Sequence, residues 1–131
     1  MEVGLVFNKQ GELLYWHVPT NRSVVAIPDS RDLWEVLWRH RAVLGGVAHT
    51  HPFSGFARPS STDVTTFAAI EQGLGRRLIW PVVTFVDVGY FTWAGPGEHD
   101  YLVLKEPGFR VAADLIHQLR ELSRIEGGLN D

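Results

Sequence analysis

The sequence predicts one α+β domain in which a mixed β-sheet is flanked by helices. Three observations lead there. The chain has 131 residues, which suits one domain with one real hydrophobic core. Short runs rich in Val, Leu, Phe, Tyr and Trp are separated by turn residues and read as hairpins. Between and after them come segments with apolar residues at helical spacing, and such a succession packs helices against a sheet.

Glu2 to Phe7 reads as a strand entering a turn at Asn8-Lys9-Gln10-Gly11, and Glu12 to Val18 as its hairpin partner. Pro19-Thr20-Asn21 breaks the run. Ser23 to Ile27 is a short third strand, and Pro28-Asp29-Ser30 is a turn that starts a helix. Arg31 to Ala42 has helical periodicity, with Leu33/Leu37 and Trp34/Trp38 as i,i+4 pairs. Asp32 and Glu35 have the spacing of a capping box. Gly45-Gly46 ends that region, and Gly46 to His51 is a short apolar strand carrying two histidines. A loop from Pro52 to Pro59 holds Gly55, Phe53 and Phe56. Ser60-Ser61-Thr62-Asp63 opens a helix to about Gln72, closed by Gly73 and Gly75. Leu78 to Thr92 reads as one or two strands, with Pro81 early and Gly89 as a bend. Ala94 to Asp100 is a turn and Tyr101 to Lys105 a last strand. Val111 to Ile125 is the final helix, with Leu115, Leu119 and Leu122 on one face and Gly127-Gly128 at its end.

Composition removes several function classes. Apolar residues make up 45% and charged residues 21%, as in ordinary globular domains. The net charge of -3, with no Lys/Arg stripe, argues against nucleic acid as a partner. There is no cysteine, so any metal must be held by nitrogen and oxygen. No apolar run reaches the roughly 18–20 residues that span a bilayer. The N-terminus lacks a signal-peptide layout, which makes the cytoplasm the expected location.

The chemistry concentrates in His49-Thr50-His51-Pro52 and Pro59-Ser60-Ser61-Thr62-Asp63. On a strand, residues i and i+2 face the same way, so His49 and His51 project together. Asp63 follows His51 by 12 residues, at a helix start, and the loop between is long enough to fold its carboxylate back. Two imidazoles and a carboxylate leave zinc a fourth position for water. Taken singly, each feature has a plainer reading. His-x-His arises without metal, Asp63 is an early-helix carboxylate favoured by the dipole, and Ser60 or Ser61 is an N-cap. Their combination in one short window favours the metal.

That window resembles the JAMM/MPN+ (JAB domain) zinc metalloproteases, bacterial members in particular. Their pattern is an upstream Glu, His-x-His-Pro, a short loop and Ser-x-x-Asp. The order of strands and helices agrees along most of the chain. The loop from Pro52 to Pro59 is one residue longer than the family's usual spacing. The resemblance implies an MPN/JAB, cytidine-deaminase-like architecture and one zinc per chain on His49, His51 and Asp63. It implies that Ser60 donates to the developing oxyanion, with Ser61 as the alternative. It also implies a general-base Glu ahead of Gly-Leu. Glu2, in Glu2-Val3-Gly4-Leu5, resembles that place with one residue fewer between Glu and Gly, and Glu12 is the alternative.

The implied activity is hydrolysis of the isopeptide or peptide bond after the C-terminal glycine of a ubiquitin-like protein. Activating and conjugating enzymes would be its associates. A zinc hydrolase of a small amino-acid adduct and a metal-free scaffold are the competing readings. Such a glycine tail needs small residues near the cut, with Phe53 and Phe56 either walling its groove or packing the loop onto the core. His17, His40, His99 and His117 lack a ligand-spaced partner and read as surface or partly buried. Trp34 and Trp38, on one helix stripe, are the better candidates for a partner surface among the tryptophans, with core as the safer reading.

Overall fold

A computed structural model describes residues 2–18 and 31–128 of the chain. The N-terminal hairpin forms as the turn residues dictate, from β1 (Gly4–Asn8) and β2 (Leu13–His17), paired antiparallel. Asn8 builds the turn. Its side-chain oxygen accepts from the N–H groups of Gln10 and Glu12, each at 2.9 Å, which fixes the chain reversal locally. The expected strand at Ser23–Ile27, with its flanking proline turns, lies outside the described residues.

Helix α1 (Arg31–Arg39) buries Leu33, Val36 and Leu37, the face its spacing predicts. Trp34 and Trp38 stack at 6.3 Å on its other side and are 37% and 46% exposed, which corrects their reading as core. Asp32 lies inside the first turn and Glu35 pairs with Arg31 at 3.2 Å, so these two do not form a capping box. The helix stops at Arg39, before Ala42, because a turn follows in which Val43 N–H donates to the His40 carbonyl.

Strand β3 (Leu44–Thr50) is buried along its whole length. It pairs antiparallel with β1 and parallel with β4 (Trp80–Val83). Gly45-Gly46 belongs to this strand and does not end the helix before it. A Cβ on Gly46 would collide with the Ile79 carbonyl oxygen, so only glycine lets the two chains approach there. Helix α2 (Ser61–Leu74) includes Gly73, which sits under the Trp34 ring. It ends at Gly75, whose φ of 73° lets its N–H turn back to the Glu71 carbonyl.

The aromatic run after α2 divides into β4 and β5 (Val88–Trp93). The bend is at Thr84–Asp87, where the Thr84 hydroxyl accepts from the N–H groups of Val86 and Asp87. Gly89 instead pairs with Val82 inside the sheet. Strand β6 (Tyr101–Val103) and helix α3 (Ala113–Gly128) complete the order, the helix taking in the two glycines expected at its end.

The sheet order is β2-β1-β3-β4-β5-β6, with β3/β4 the parallel pair. Strand alternation divides the core between the faces. Val6, Val47 and Val82 join Leu33 and Leu37 of α1 and Phe67 and Ile70 of α2. Leu5, Phe7, Ala48 and Val83 join Ile116 and Leu119 of α3 on the other face. The described residues thus form one small α+β domain, a mixed six-stranded sheet flanked by helices, as the sequence predicts. No helix among the described residues is long and apolar enough to cross a membrane.

Candidate metal centre

The site is assembled from three places that the fold makes adjacent. The first is the end of β3. Alternation there aims His49 toward the α1/α2 face, where its ring lies 5.9 Å from that of Phe67. His51 lies one residue past the strand, yet its N–H still donates to the Val83 carbonyl at 2.9 Å. The extended backbone therefore continues, and the two imidazoles project together.

The second is the N-terminus of α2. Ser60 is its N-cap, and its hydroxyl accepts from the Asp63 N–H at 3.0 Å. The Asp63 carboxylate accepts from the Ser60 N–H at 2.9 Å, so Ser-x-x-Asp is a reciprocal capping box. The same carboxylate oxygen, Oδ2, lies 3.1 Å from His49 Nε2 and 2.8 Å from His51 Nε2. The plain reading of Ser60 and Asp63 as a capping pair therefore holds, and it is compatible with the ligand reading of Asp63. The cap fixes the rotamer that turns the carboxylate toward the histidines.

The intervening loop is tied down at three points. Asp87 accepts from the Ala57 N–H at 2.7 Å, the Thr84 hydroxyl donates to the Gly55 carbonyl at 2.8 Å, and Phe85 N–H donates to the Phe53 carbonyl at 3.0 Å. The β4–β5 bend thus holds the loop that returns Asp63 to the histidines.

The third is the segment leading into β1, which is tied down by Thr50, the residue between the histidines. Val3 N–H donates to the Thr50 hydroxyl at 2.8 Å, and Thr50 N–H donates to the Val3 carbonyl at 3.0 Å. Val3 is completely buried. Glu2 is held as a result, and donor atoms of Glu2, His49, His51 and Asp63 all lie within 4.8 Å of one another. They are the one such group among the described residues that could hold a metal ion.

The donor set fits a metal. His49 Nε2, His51 Nε2 and Asp63 Oδ2 form a triangle with edges of 2.8–3.1 Å. Tetrahedral zinc with bonds of 2.0–2.1 Å requires ligand separations of about 3.3 Å. A few tenths of an ångström of opening would therefore seat the ion. Two imidazole nitrogens and a carboxylate oxygen, without thiolate, are a donor set that divalent metals such as zinc and iron accept.

Electrostatics reflect the same crowding. Burial alone would raise the Asp63 pKa, but hydrogen bonds from His49, His51 and the Ser60 N–H hold it well below the ordinary carboxylate range. The His51 pKa is raised by its hydrogen bond to Asp63, against the opposing effect of burial. Burial raises the Glu2 pKa, and the nearby histidines only partly offset this. A carboxylate so placed binds a proton more readily than one in water.

Other sequence candidates fall away from this point. Glu12 accepts from the Asn8 side chain in the hairpin turn, at the far end of β1 from Glu2. Ser61 begins α2, and its carbonyl takes the Thr65 hydroxyl. Ser60, with the four clustered residues, lines a cavity of about 530 Å³. Phe53, 47% exposed, also lines it, whereas Phe56 is 85% exposed and does not. His17 is 6% exposed, which is more buried than expected, and it lies outside the cluster.

Sequence reasoning missed Thr50, Asp87 and Glu71. Glu71 is 3% exposed and accepts from Leu78 N–H, Trp80 Nε1, Arg77 Nη1 and the Tyr101 hydroxyl. Its signal was an acid at i+4 from Phe67, inside the buried stripe of α2. No family model matches the chain, and no curated protein matches it significantly.

Proposed function

We propose that this chain is a zinc-dependent amide hydrolase of the JAMM/MPN+ type, with the MPN/JAB architecture. Its substrate in this reading is the peptide or isopeptide bond after the C-terminal glycine of a ubiquitin-like protein. The observation that carries the proposal is the convergence of His49 Nε2, His51 Nε2 and Asp63 Oδ2 beside the Glu2 carboxylate, on the wall of a cavity.

Zinc bound there supplies Lewis acidity and makes water acidic near neutral pH. Glu2 takes a proton from the water whose oxygen attacks the carbonyl carbon. As the C–N bond breaks, Glu2 returns that proton to the leaving amine nitrogen. The Ser60 oxygen is already an acceptor for Asp63 N–H. Its own proton is therefore available to the developing oxyanion.

A second reading, hydrolysis of a small amino-acid adduct, is favoured by one observation. The clustered residues line a cavity large enough to take a small ligand. A metal-free scaffold would have no need of the preformed ligand triangle.

The test is incubation of the zinc-loaded chain with a cognate ubiquitin-like protein joined through its C-terminal glycine to a peptide or a lysine side chain. Cleavage directly after the glycine is expected, abolished by chelator and restored by zinc. Glu2→Gln is expected to retain zinc and lose turnover. Hydrolysis of small adducts with fusions left intact would favour the second reading, and hydrolysis of neither would overturn both.

A further inference from the structure

The metal group and Ser60 do not exhaust the polar residues of the metal-side cavity. Thr62 and Thr66, both on α2, also line it. Thr62 stands one residue before Asp63 and Thr66 three after it, so the two are i,i+4 neighbours on one helix face, about one turn apart. A threonine inside a helix commonly donates its hydroxyl to the carbonyl four residues back. Thr65 does this, to Ser61 at 3.1 Å. Thr66, next along the chain, does not, and among the described residues neither its hydroxyl nor that of Thr62 has a hydrogen-bond partner. For Thr62, which is exposed, hydration is a sufficient account. Thr66 is half-buried one turn from the Asp63 carboxylate, and its hydroxyl opens onto the cavity. Valine in its place would fill the same volume and present nothing to hydrate.

We infer that Thr66, with Thr62 beside it, binds the main chain of the substrate next to the scissile amide, and so selects an extended peptide over a compact adduct. The inference rests on the metal-hydrolase reading of the same site. A hydroxyl both donates and accepts. In an extended chain the N–H and C=O of one residue point to the same edge, as they do toward a neighbouring strand. Two hydroxyls about one helical turn apart, roughly 5 Å, present the complementary pair. One donates to the carbonyl and the other accepts the N–H. Asp63 lies between them in sequence, so a chain held there passes beside the metal ligands and brings the neighbouring amide to the site. A glycine at the cut offers no side chain, which leaves its main chain as the feature to grip. An adduct of a single amino acid has no second amide to offer this pair.

The test uses the full chain and two readouts. In the first, the γ-methyl NMR signals of Thr62 and Thr66 are followed in Glu2→Gln, with and without zinc, as acetyl-Ala-Ala-Gly-Ala-Ala-amide is added. The same peptide N-methylated at one amide at a time is the comparison. Saturable shifts of both methyls are expected. N-methylation at one position near the glycine should raise Kd by about 2–10-fold, the scale of one hydrogen bond. In a chain that also carries Thr66→Val, that methyl group should no longer matter. In the second, KM and kcat are measured on a glycine-linked fusion. Thr66→Val should raise KM by about 2–10-fold with kcat and zinc content as in wild type, the pattern of lost uniform binding. Thr66→Ser, which restores the hydroxyl, should restore KM. Wild-type KM in Thr66→Val, an equal defect in Thr66→Ser, or a peptide affinity indifferent to every N-methyl group overturns the inference even where cleavage is robust. Methyl-sensitive binding that Thr66→Val abolishes, in a chain that cleaves no conjugate, would uphold the main-chain grip while contradicting the hydrolase reading.

Discussion

At the scale of single residues, the chemistry was legible where one spacing maps to one geometry. His49-x-His51 on a strand and Ser60-x-x-Asp63 at a helix start each define a local arrangement that tertiary structure hardly alters. Thr50 was not legible, because its role depends on β1 lying beside β3. Its hydroxyl takes the Val3 N–H next to Glu2. Thr50→Val keeps the shape and removes the acceptor, at a cost of about 1–3 kcal/mol for a buried donor left unpaired. Turnover should fall as Glu2 loosens, with zinc content unchanged. Normal kcat in this variant would show that Glu2 is held by other means. Ser60 caps α2, and the oxyanion role proposed for it can be separated from that. Ser60→Gly weakens the cap by only a few tenths of a kcal/mol but removes the hydroxyl. A drop in turnover of about 10²–10³-fold with little change in stability is expected, the scale for one oxyanion donor. Ser61→Gly should behave nearly as wild type, and a reversal of the two would move the role to Ser61.

At the scale of elements, most strands and helices followed from their patterns, and the errors have physical causes. Gly45-Gly46 read as a helix stop because glycine punctuates helices, whereas here it admits close strand pairing beside Ile79. Gly89 read as a bend, but Thr84 and Asp87 make the bend through side-chain hydrogen bonds. Trp34 and Trp38 read as core by residue type, while the adjacent Leu33/Leu37 stripe takes the buried face. Glu71 shows how elements are joined. It receives hydrogen bonds from Leu78 and Trp80, at and before β4, and from Tyr101 of β6. Arg77 also donates to it, but is half exposed and contributes less. Glu71→Ala would orphan buried donors on two strands and should destabilise by about 3–5 kcal/mol in urea unfolding. A loss under about 1 kcal/mol would mean that water or rearrangement replaces the carboxylate.

At the scale of the whole molecule, stability should depend on pH through His17. Burial holds its pKa below 6.5, against a weaker opposing pull from Asp32. The unfolded chain then takes up the proton first as pH falls. The contribution of this residue to stability is complete above about pH 6.5 and declines below it, towards the folded pKa. Urea unfolding from pH 7.5 to 5 should therefore show a smaller loss in His17→Gln than in wild type, and parallel curves would contradict this.

The account as a whole depends on the fold bringing one end of β3 and one end of α2 to a single ion. Metal analysis of the purified chain tests that most directly, with wild type, Glu2→Gln, Asp63→Ala and the His49→Ala/His51→Ala double variant prepared alike. A three-ligand site has no redundancy. About one zinc per chain is expected in wild type and Glu2→Gln, and almost none in the other two. Full zinc in the double histidine variant would contradict the account.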